Sequence, residues 1–415
     1  MSRNNDGTTR RDFLSGTVAA SAIVWIPKPS RGYSPAEMRA MAVGEVVKPG
    51  ISKWDLETPA LCVDLDKMEA NIATMQAAMK KYGLPSRPHT KTHKTAAIAK
   101  YQLATGSIGI CCAKLTEAEA MVENGVDKIL MTTANPAASK IRRAMRIRKN
   151  HRDFIQAVDY EPNARDLNDA AKAAGVVADV VIDVAVGSRS GIPPEGALAL
   201  AQAIDKLPNL KLRGMLSYDG GVQHAKGFEN RKARALKTIE PNVQAFEMMK
   251  KSGLNMEIFS GGGSGTYNIM HLVPGFTDIQ VGSYLFMDMQ YLAIGSESGD
   301  EVYTDFAPSL TVLTTVLNDR FPERLTTDAG SKALTLNQPP AGVIGEPGMV
   351  YTAGSDEFGS IRFTAAPSKT YKIGDKLEVI VPHCDPAVNE YDVMYGTRKD
   401  RVELVWPITG RGRSQ

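Results

Sequence analysis

The chain has 415 residues, of which 43% are hydrophobic and 23% are charged, and its formal net charge is +3. At roughly 150 residues per domain, this length predicts two or three domains, and we favour two. The small charge comes from intermixed signs, so nothing in the composition demands a nucleic-acid partner. The four cysteines have neither zinc-ribbon nor CxxC redox spacing, which argues against both kinds of site.

Residues 1–30 resemble a twin-arginine export signal. Arg10-Arg11-Asp12-Phe13-Leu14 precedes a weakly apolar stretch, residues 16–26, that is too short to span a bilayer. A disordered basic tail followed by a short helix is the alternative interpretation. We expect a signal peptide, a periplasmic protein and no stable membrane association after export.

Strand-like and helical patterns alternate between residues 56 and 295. Eight apolar strand-like runs, mostly separated by helical patterns, cover residues 87–91, 108–113, 128–132, 153–158, 178–186, 211–218, 256–260 and 278–286. Parallel strands need helical crossovers and are buried on both faces. The count of eight therefore predicts an α/β fold, a closed (β/α)8 barrel of the TIM type. An open doubly wound sheet would give the same local pattern.

The pattern changes beyond residue 295. Residues 296–410 contain short alternating runs punctuated by glycine and proline, and helical periods are absent, which predicts a mostly β second domain. A strand near residues 44–66, before the barrel, is a candidate for joining this domain.

Lys91 ends the first predicted barrel strand and lies between His89 and His93. Reactive groups of parallel barrels lie at the carboxyl ends of the strands. Desolvation and neighbouring cations can lower the pKa of such a lysine, which would make its neutral amine available for Schiff-base chemistry. A surface loop rich in basic residues is the alternative interpretation of this stretch.

Three later strands end in further candidates for the same rim. Arg189 could bond an anionic cofactor oxygen, Tyr218 could flank an aromatic cofactor ring or pack at the rim, and His224 is a candidate proton carrier. The glycine-rich loop after the seventh strand leads into a short helical pattern, which makes it a plausible phosphate cradle. This loop consists of Gly262, Gly263, Ser264, Gly265 and Thr266.

The β domain supplies a candidate metal-ligand pair, His383 and Asp385. In an extended segment alternate residues share a face, so these two side chains can point toward one ion while Cys384 points away. Imidazole and carboxylate suit Mn²⁺, Zn²⁺ or a similar divalent ion such as Mg²⁺. If the backbone turns there, Cys384 could instead be the ligand beside His383.

Four stretches carry a family resemblance: Thr58-Pro59-Ala60-Leu61-Cys62-Val63-Asp64, Arg87-Pro88-His89-Thr90-Lys91-Thr92-His93-Lys94, Val186-Gly187-Ser188-Arg189-Ser190-Gly191 and Pro382-His383-Cys384-Asp385. They resemble the D-threonine aldolase and D-serine dehydratase family over residues 56–407. Members of this family are pyridoxal-phosphate enzymes with an alanine-racemase-like barrel and a β domain.

The resemblance assigns a role to each candidate. Lys91 would bind pyridoxal phosphate covalently, and Arg189 would contact the phenolic oxygen of the cofactor. Tyr218 would lie at the pyridine ring, and Gln280 near the ring nitrogen, where the racemases carry an arginine. Residues 262–266 would hold the phosphate, and His383 with Asp385 would bind the metal.

The His-x-Asp spacing resembles the aldolases, whereas the D-serine dehydratases resemble His-x-Cys users. We therefore expect retro-aldol cleavage of D-β-hydroxy-α-amino acids to glycine and an aldehyde, with a metal-bound water or His224 as the base. The alternative is a dehydratase acting on D-serine or D-3-hydroxyaspartate. A racemase is less expected because the metal pair would be superfluous, and cofactor carriers generally lack a β domain. The resemblance also implies a homodimer with the site near the subunit interface.

Overall fold

A computed structural model of the protein describes residues 32–48, 50–187, 189–299 and 301–415. The predicted export signal, residues 1–30, lies outside these residues. Across the ranges that are described, no helix combines the length and the apolar character that a membrane crossing requires.

Seven parallel strands form the barrel sheet, and each pairs with the next one along the chain. Isolated bridges join Ser86 to Ile279 and His89 to Cys111, so the segment 86–89 connects the last strand to the first. The predicted parallel barrel is confirmed. Its strands are Ile110–Cys112, Ile129–Met131, Ile155–Val158, Ala178–Asp183, Leu210–Ser217, Ile258–Gly261 and Asp278–Ile279.

The first of the eight predicted strands is not a regular strand. Pro88 has no N–H to donate, so the ladder has a gap there. The chain then turns into a 3-10 helix, Thr90–Thr92. The Thr90 hydroxyl donates to the Cys111 carbonyl at 3.0 Å, which replaces a strand contact with a side-chain bond.

Helices cover the outside of the barrel, as the crossover pattern predicts. The first helix is capped at its N-terminus by Asp64, whose carboxylate accepts the Lys67 N–H at 3.1 Å. At its C-terminus it is capped by Gly83, which has a left-handed conformation with φ of 66°. The helices are Leu65–Tyr82, Ala96–Ala104, Leu115–Glu123, Ala138–Asn150, Glu161–Ala174, Pro194–Asp205 and Phe228–Lys251.

The second sheet has eleven strands, and its pairs are antiparallel except for one. Ala60–Asp64 lies between Leu310–Phe321 and Val393–Arg398 and pairs parallel with the latter, so a segment that precedes the barrel is part of this sheet. The other strands are Ala42–Val43, Val46–Val47, Arg324–Thr327, Gly342–Val343, Met349–Ala353, Gly359–Phe363, Lys376–Ile380 and Arg401–Pro407.

Short helices occur where the two sheets meet and within the β domain. The Met289 and Gln290 N–H groups donate to the carbonyls of Val381 and Pro382 at 3.1 and 3.2 Å, which joins the β domain to the carboxyl-terminal rim of the barrel. His383 follows directly. These short helices are Pro35–Met41, Met289–Leu292, Ser331–Leu334 and Cys384–Val388, with 3-10 turns at Lys53–Asp55, Met270–Leu272 and Ser283–Leu285.

Candidate active site

Lys91 lies at the rim of the barrel in the turn Thr90–Thr92, with 39% of its side chain exposed. Its ammonium donates to Asp385 Oδ2 at 2.5 Å. The Asp385 carboxylate raises the pKa of Lys91 and outweighs the opposite effect of burial. The expectation of a lowered pKa is wrong for this geometry, because the nearest charge is an anion.

The two histidines that flank Lys91 shape its turn. His89 Nδ1 accepts the Lys91 N–H at 3.3 Å, and His93 Nδ1 accepts the Thr95 N–H at 3.0 Å. Burial lowers the pKa of both rings, that of His93 to about 4. Both are therefore neutral hydrogen-bond acceptors for the backbone at neutral pH, and neither is a cation beside Lys91.

The prediction that the backbone is extended from His383 to Asp385 is wrong in one respect. His383 is extended, but the helix Cys384–Val388 begins directly after it. Asp385 nevertheless faces the site, because 15% of its side chain is exposed and it contacts Lys91. Burial would raise the pKa of Asp385, but the charges of Lys91 and His383 hold it well below its usual range.

His224 joins this group from a different loop. Its ring centroid lies 4.5 Å from that of Tyr291 and 6.2 Å from that of His383. Desolvation lowers the pKa of His224, with smaller contributions from neighbouring charges. The structure therefore brings a proton acceptor next to the candidate metal ligand, although the sequence separates the two by more than a third of the chain.

Arg189 and Tyr218 lie against each other at the same rim. The guanidinium carbon of Arg189 is 4.7 Å from the centroid of the Tyr218 ring, a cation–π contact. Asp183, which ends a barrel strand, is buried nearby. Burial raises the pKa of Asp183 to about 7, and the charge of Arg189 opposes this rise. The predicted cofactor-binding arginine is thus held beside an aromatic ring.

The glycine-rich loop is fixed by hydrogen bonds to its neighbours. The N–H groups of Gly263 and Gly265 donate to Thr266 Oγ1 and to Gln223 Oε1, both at 3.1 Å. Ser264 Oγ accepts the N–H groups of Gly282 and Tyr284 at 3.2 and 2.9 Å. The loop after the strand Ile258–Gly261 is therefore tied to the segment that follows Asp278–Ile279, the last strand of the barrel.

Close packing explains the glycines of this loop. A Cβ at Gly265 would lie 2.2 Å from the Gln223 carbonyl oxygen, and one at Gly263 would lie 2.7 Å from Gln223 Oε1. Gly262 has φ of +60°, a conformation that favours glycine, and its Cβ would meet Met270. Glycine is therefore required at these three positions because Gln223 and Met270 occupy the space that a side chain would need.

Gln280 is buried within the barrel below this rim. Its amide donates to Ser260 Oγ at 3.0 Å, and the Ser260 hydroxyl donates to Asp278 Oδ1 at 2.6 Å. Arg87 donates to the same carboxylate oxygen at 3.0 Å. The residue predicted to face the cofactor ring nitrogen is therefore a neutral amide in a hydrogen-bond chain that ends in an ion pair.

Asp288 is a residue of the site that sequence reasoning missed. It is fully buried and contacts His383 Nδ1 and the N–H groups of Cys384 and Tyr291. A signal was available, because a carboxylate inside the apolar run of residues 284–292 must find partners when it is buried. Gln223 was missed for a different reason, since its contacts with the glycine-rich loop join segments that are distant in sequence.

Ligand atoms of Asp288, His383 and Cys384 lie within 4.8 Å of one another. This set shares His383 with the predicted pair and includes the thiol that was left open as an alternative. Burial raises the pKa of the Cys384 thiol well above its ordinary value. The set thus offers an imidazole, a carboxylate and a thiol, of which the imidazole and the carboxylate suit Mn²⁺ or Zn²⁺.

The donors at the rim fit pyridoxal phosphate. Lys91 offers a primary amine, Arg189 offers a guanidinium for an anionic oxygen, and the glycine-rich loop, residues 262–266, follows the end of a barrel strand, where a phosphate group would lie. The amine suits the aldehyde of the cofactor, the guanidinium suits the phenolic oxygen on its aromatic ring, and the loop suits its phosphate.

Comparison with known proteins agrees with this assignment. Residues 63–290 match the family model of the alanine racemase N-terminal domain, and residues 309–397 match that of a serine dehydratase domain. Fold and site together define a pyridoxal-phosphate-dependent lyase with the alanine racemase fold.

Three relatives place the chain more closely. It is 33% identical over 369 residues to the 3-hydroxy-D-aspartate aldolase of Paracoccus denitrificans (strain Pd 1222), a match that covers 88% of this chain and 95% of that protein. It is also 33% identical over 380 residues to the D-threonine aldolase of Arthrobacter sp, covering 91% and 99%. The crystal structure of D-threonine aldolase from Filomicrobium marinum superposes with a TM-score of 0.84 at 32% identity, covering 89% and 100%. The chain belongs to the family of the D-threonine and 3-hydroxy-D-aspartate aldolases, and the resemblance predicted from its motifs is confirmed.

Proposed function

We propose that the protein cleaves D-β-hydroxy-α-amino acids of the D-threonine type to glycine and an aldehyde, using pyridoxal phosphate and a divalent metal. The observation that carries this proposal is the meeting of Lys91, Asp385, His383 and His224 at one rim. Lys91 Nζ is 2.5 Å from Asp385 Oδ2, and the rings of His224 and His383 are 6.2 Å apart. The names of the relatives support the substrate class.

Each of these side chains has a separate task in the cleavage. When bound, pyridoxal phosphate supplies an electron sink for the bond that breaks, and a divalent ion supplies a Lewis acid for the substrate hydroxyl. His383 and Asp385 offer an imidazole and a carboxylate to hold the ion. His224 is placed to accept the hydroxyl proton on a ring nitrogen. Lys91 holds the amine with which the cofactor is bound.

A dehydratase is the second candidate. The match of residues 309–397 to a serine dehydratase domain favours it, and elimination would need the same amine and the same ion. In that reaction the Lys91 amine would take the α-proton while hydroxide leaves, and the products would be a 2-oxo acid and ammonia.

The deciding experiment is to incubate the metal-loaded protein with D-threonine, D-serine and D-3-hydroxyaspartate. We expect glycine and an aldehyde, and we expect them to disappear when the ion is removed with a chelator and to return when Mn²⁺ is added. L-Threonine is the matched control and should be inert. A 2-oxo acid and ammonia as the main products would reassign the protein to the dehydratases, and turnover that survives chelation would remove the metal from the proposal.

We propose further that the protein is exported and works in the periplasm. The support is the Arg10-Arg11-Asp12-Phe13-Leu14 sequence ahead of an apolar stretch. Cell fractionation of a strain with and without the twin-arginine translocase tests this, because the protein should leave the periplasmic fraction when the translocase is absent. Replacing Arg10 and Arg11 by lysine should have the same effect, and a protein that stays cytoplasmic in every strain would contradict the proposal.

A homodimer with the site near the subunit interface is a third proposal, supported by the family resemblance. Light scattering of the full-length protein, purified without export, should give twice the chain mass of 44.8 kDa. A mass of one chain at micromolar concentration, with full activity, would contradict it.

A further inference from the structure

Asp288 is buried at the point where the barrel meets the β domain. Its side chain is 0% exposed, and it caps the short helix Met289–Leu292 by accepting the Tyr291 N–H on Oδ1 at 2.9 Å. A buried carboxylate is unfavourable unless its oxygens are hydrogen-bonded. The contacts of the other oxygen show what Asp288 does for the site.

Asp288 Oδ2 is 2.8 Å from His383 Nδ1. A carboxylate can only accept hydrogen bonds, so the proton of this bond belongs to Nδ1. In a neutral imidazole with a proton on Nδ1, Nε2 carries the lone pair and is the nitrogen left for a metal. Metal-binding histidines are commonly oriented by a carboxylate in this way.

The same oxygen accepts the Cys384 N–H at 2.9 Å. That N–H is the first of the helix Cys384–Val388, which carries Asp385. Asp288 therefore holds the imidazole of His383 and the backbone from which Asp385 projects. Through the Tyr291 N–H it also fixes the residue whose ring lies 4.5 Å from that of His224.

We infer that Asp288 is a positioning residue that sets the tautomer and orientation of His383 and the start of the Asp385 helix, so that both ligands are ready for one divalent ion. The inference rests on the proposed function, because it assumes that this pair binds the metal. The rival interpretation is that Asp288 is itself a ligand together with His383 and Cys384, whose ligand atoms lie within 4.8 Å.

The contacts favour the positioning role. Both oxygens of Asp288 accept hydrogen bonds from the protein, and the side chains of Asp288 and Cys384 are fully buried. Asp385, in contrast, is partly exposed and faces the rim beside Lys91. An ion that enters from the rim must reach its ligands, and the exposed fraction of the side chain is 15% for Asp385 and 19% for His383 but 0% for Asp288.

The test is the dissociation constant for Mn²⁺, measured on the holoenzyme from the electron paramagnetic resonance signal of free Mn²⁺. Asp288→Asn should raise this constant by about 10- to 100-fold, the usual effect of losing an orienting carboxylate. Cys384→Ser should leave it within about twofold of the wild-type value, because a carboxylate that orients a histidine ligand does so without the neighbouring thiol. Asp305→Asn is the matched control, since Asp305 accepts a hydrogen bond from Tyr267 away from the ligand pair.

Activity gives a second reading. Because the inferred role is to hold ligands for the ion, excess Mn²⁺ should restore most of the kcat of Asp288→Asn, which a merely destabilised protein would not show. A Cys384→Ser variant that loses Mn²⁺ while Asp385→Asn retains it would overturn the inference in favour of the rival ligand set. An Asp288→Asn variant that binds Mn²⁺ like the wild type would overturn it outright.

A measurement on the wild-type protein covers the case in which Asp288→Asn does not fold. With ¹⁵N-labelled histidine and Zn²⁺ as a diamagnetic probe, His383 should show a proton on Nδ1, and the signal is assigned by its absence in His383→Gln. A proton on Nε2 would overturn the inference. If the wild type binds no Mn²⁺ at millimolar concentration, the metal site of the proposed function fails with it, whereas unchanged binding by Asp288→Asn leaves the proposed function intact.

Discussion

Replacement of Lys91 by alanine is expected to lower kcat for D-threonine cleavage by roughly 10³-fold or more, because the reaction loses the amine that binds and positions the cofactor. Lys91 extends from the turn Thr90–Thr92 into the group formed by Asp385, His383 and His224. A side chain without nitrogen cannot make this link. The measurement is glycine production under saturating substrate, pyridoxal phosphate and Mn²⁺.

A chemical readout accompanies the rate. Borohydride reduction of the wild-type holoenzyme should leave the cofactor attached to the peptide that contains Lys91, as detected by mass spectrometry, and the Lys91→Ala protein should carry none. Lys100→Ala is the matched control, because Lys100 is exposed on the nearby helix Ala96–Ala104 and should affect neither reading. Cofactor found on another lysine of the wild type would contradict the assignment of Lys91.

Features encoded in local patterns were predictable from the sequence. The apolar runs and amphipathic helices predicted the parallel barrel, and the Arg87 to Lys94 motif predicted the family. The change of pattern near residue 295 indicated the β domain. These predictions succeed because strand period, helix period and short motifs each depend on residues close together in the chain.

Features that depend on distant partners were not predictable. The pKa of Lys91 was expected to fall, but Asp385, almost 300 residues away in the sequence, reverses the direction. The backbone at Cys384 was expected to be extended, but a helix begins there. The Cys384 N–H donates a hydrogen bond to Asp288, and this bond helps to stabilise the first turn of that helix. Neither contact can be read from the residues next to it in the sequence. Each segment was therefore interpreted without its partner, and both the direction of the Lys91 pKa shift and the conformation at Cys384 were predicted wrongly.

The candidate site shows the same division. Arg189, Tyr218 and the glycine-rich loop were found because each follows a predicted strand at the active rim. Their roles toward pyridoxal phosphate stay predictions. The residues that hold the glycine-rich loop in place were not found, since Gln223 and Arg231 make their contacts with backbone groups of other segments.

Replacement of Arg231 is also expected to have a large effect, on both stability and cofactor binding. The reason is that one buried guanidinium joins three parts of the site. Its side chain is fully buried. Nε donates to the Gly265 carbonyl at 2.7 Å, Nη1 to the carbonyls of Ala225 and Ile294 at 3.0 and 2.9 Å, and Nη2 to that of Gly295 at 2.9 Å. The glycine-rich loop, the loop after His224 and the turn after Tyr291 thus share one anchor.

Arg231→Met keeps much of the volume but removes the guanidinium donor from all four carbonyl groups. The Ile294 carbonyl still accepts the Gly227 N–H at 3.0 Å, so the cost falls mainly on the carbonyls of Gly265, Ala225 and Gly295. Each buried polar group left unsatisfied is unfavourable by about 1–3 kcal/mol, and partial relaxation makes the effects less than additive. We expect the free energy of unfolding to fall by about 3–5 kcal/mol in urea titration. Because Gly265 loses its anchor, the dissociation constant for pyridoxal phosphate should also rise by roughly tenfold or more, since a loosened cradle must be ordered again on binding.

Arg213→Met is the control variant. It removes an arginine elsewhere in the barrel, so it shows whether the effects of Arg231→Met depend on the location of Arg231. Arg213 pairs with Asp179 and Glu257 away from the active rim and is partly exposed, so its replacement should lower the free energy of unfolding by about 1 kcal/mol or less and leave cofactor affinity unchanged. Arg231→Lys keeps the charge but cannot reach four carbonyl groups in one plane, and it should fall between Arg231→Met and the wild type. If Arg231→Met is destabilised yet binds pyridoxal phosphate with wild-type affinity, the glycine-rich loop does not depend on this anchor, and its internal bonds through Gln223 and Thr266 are sufficient to hold it.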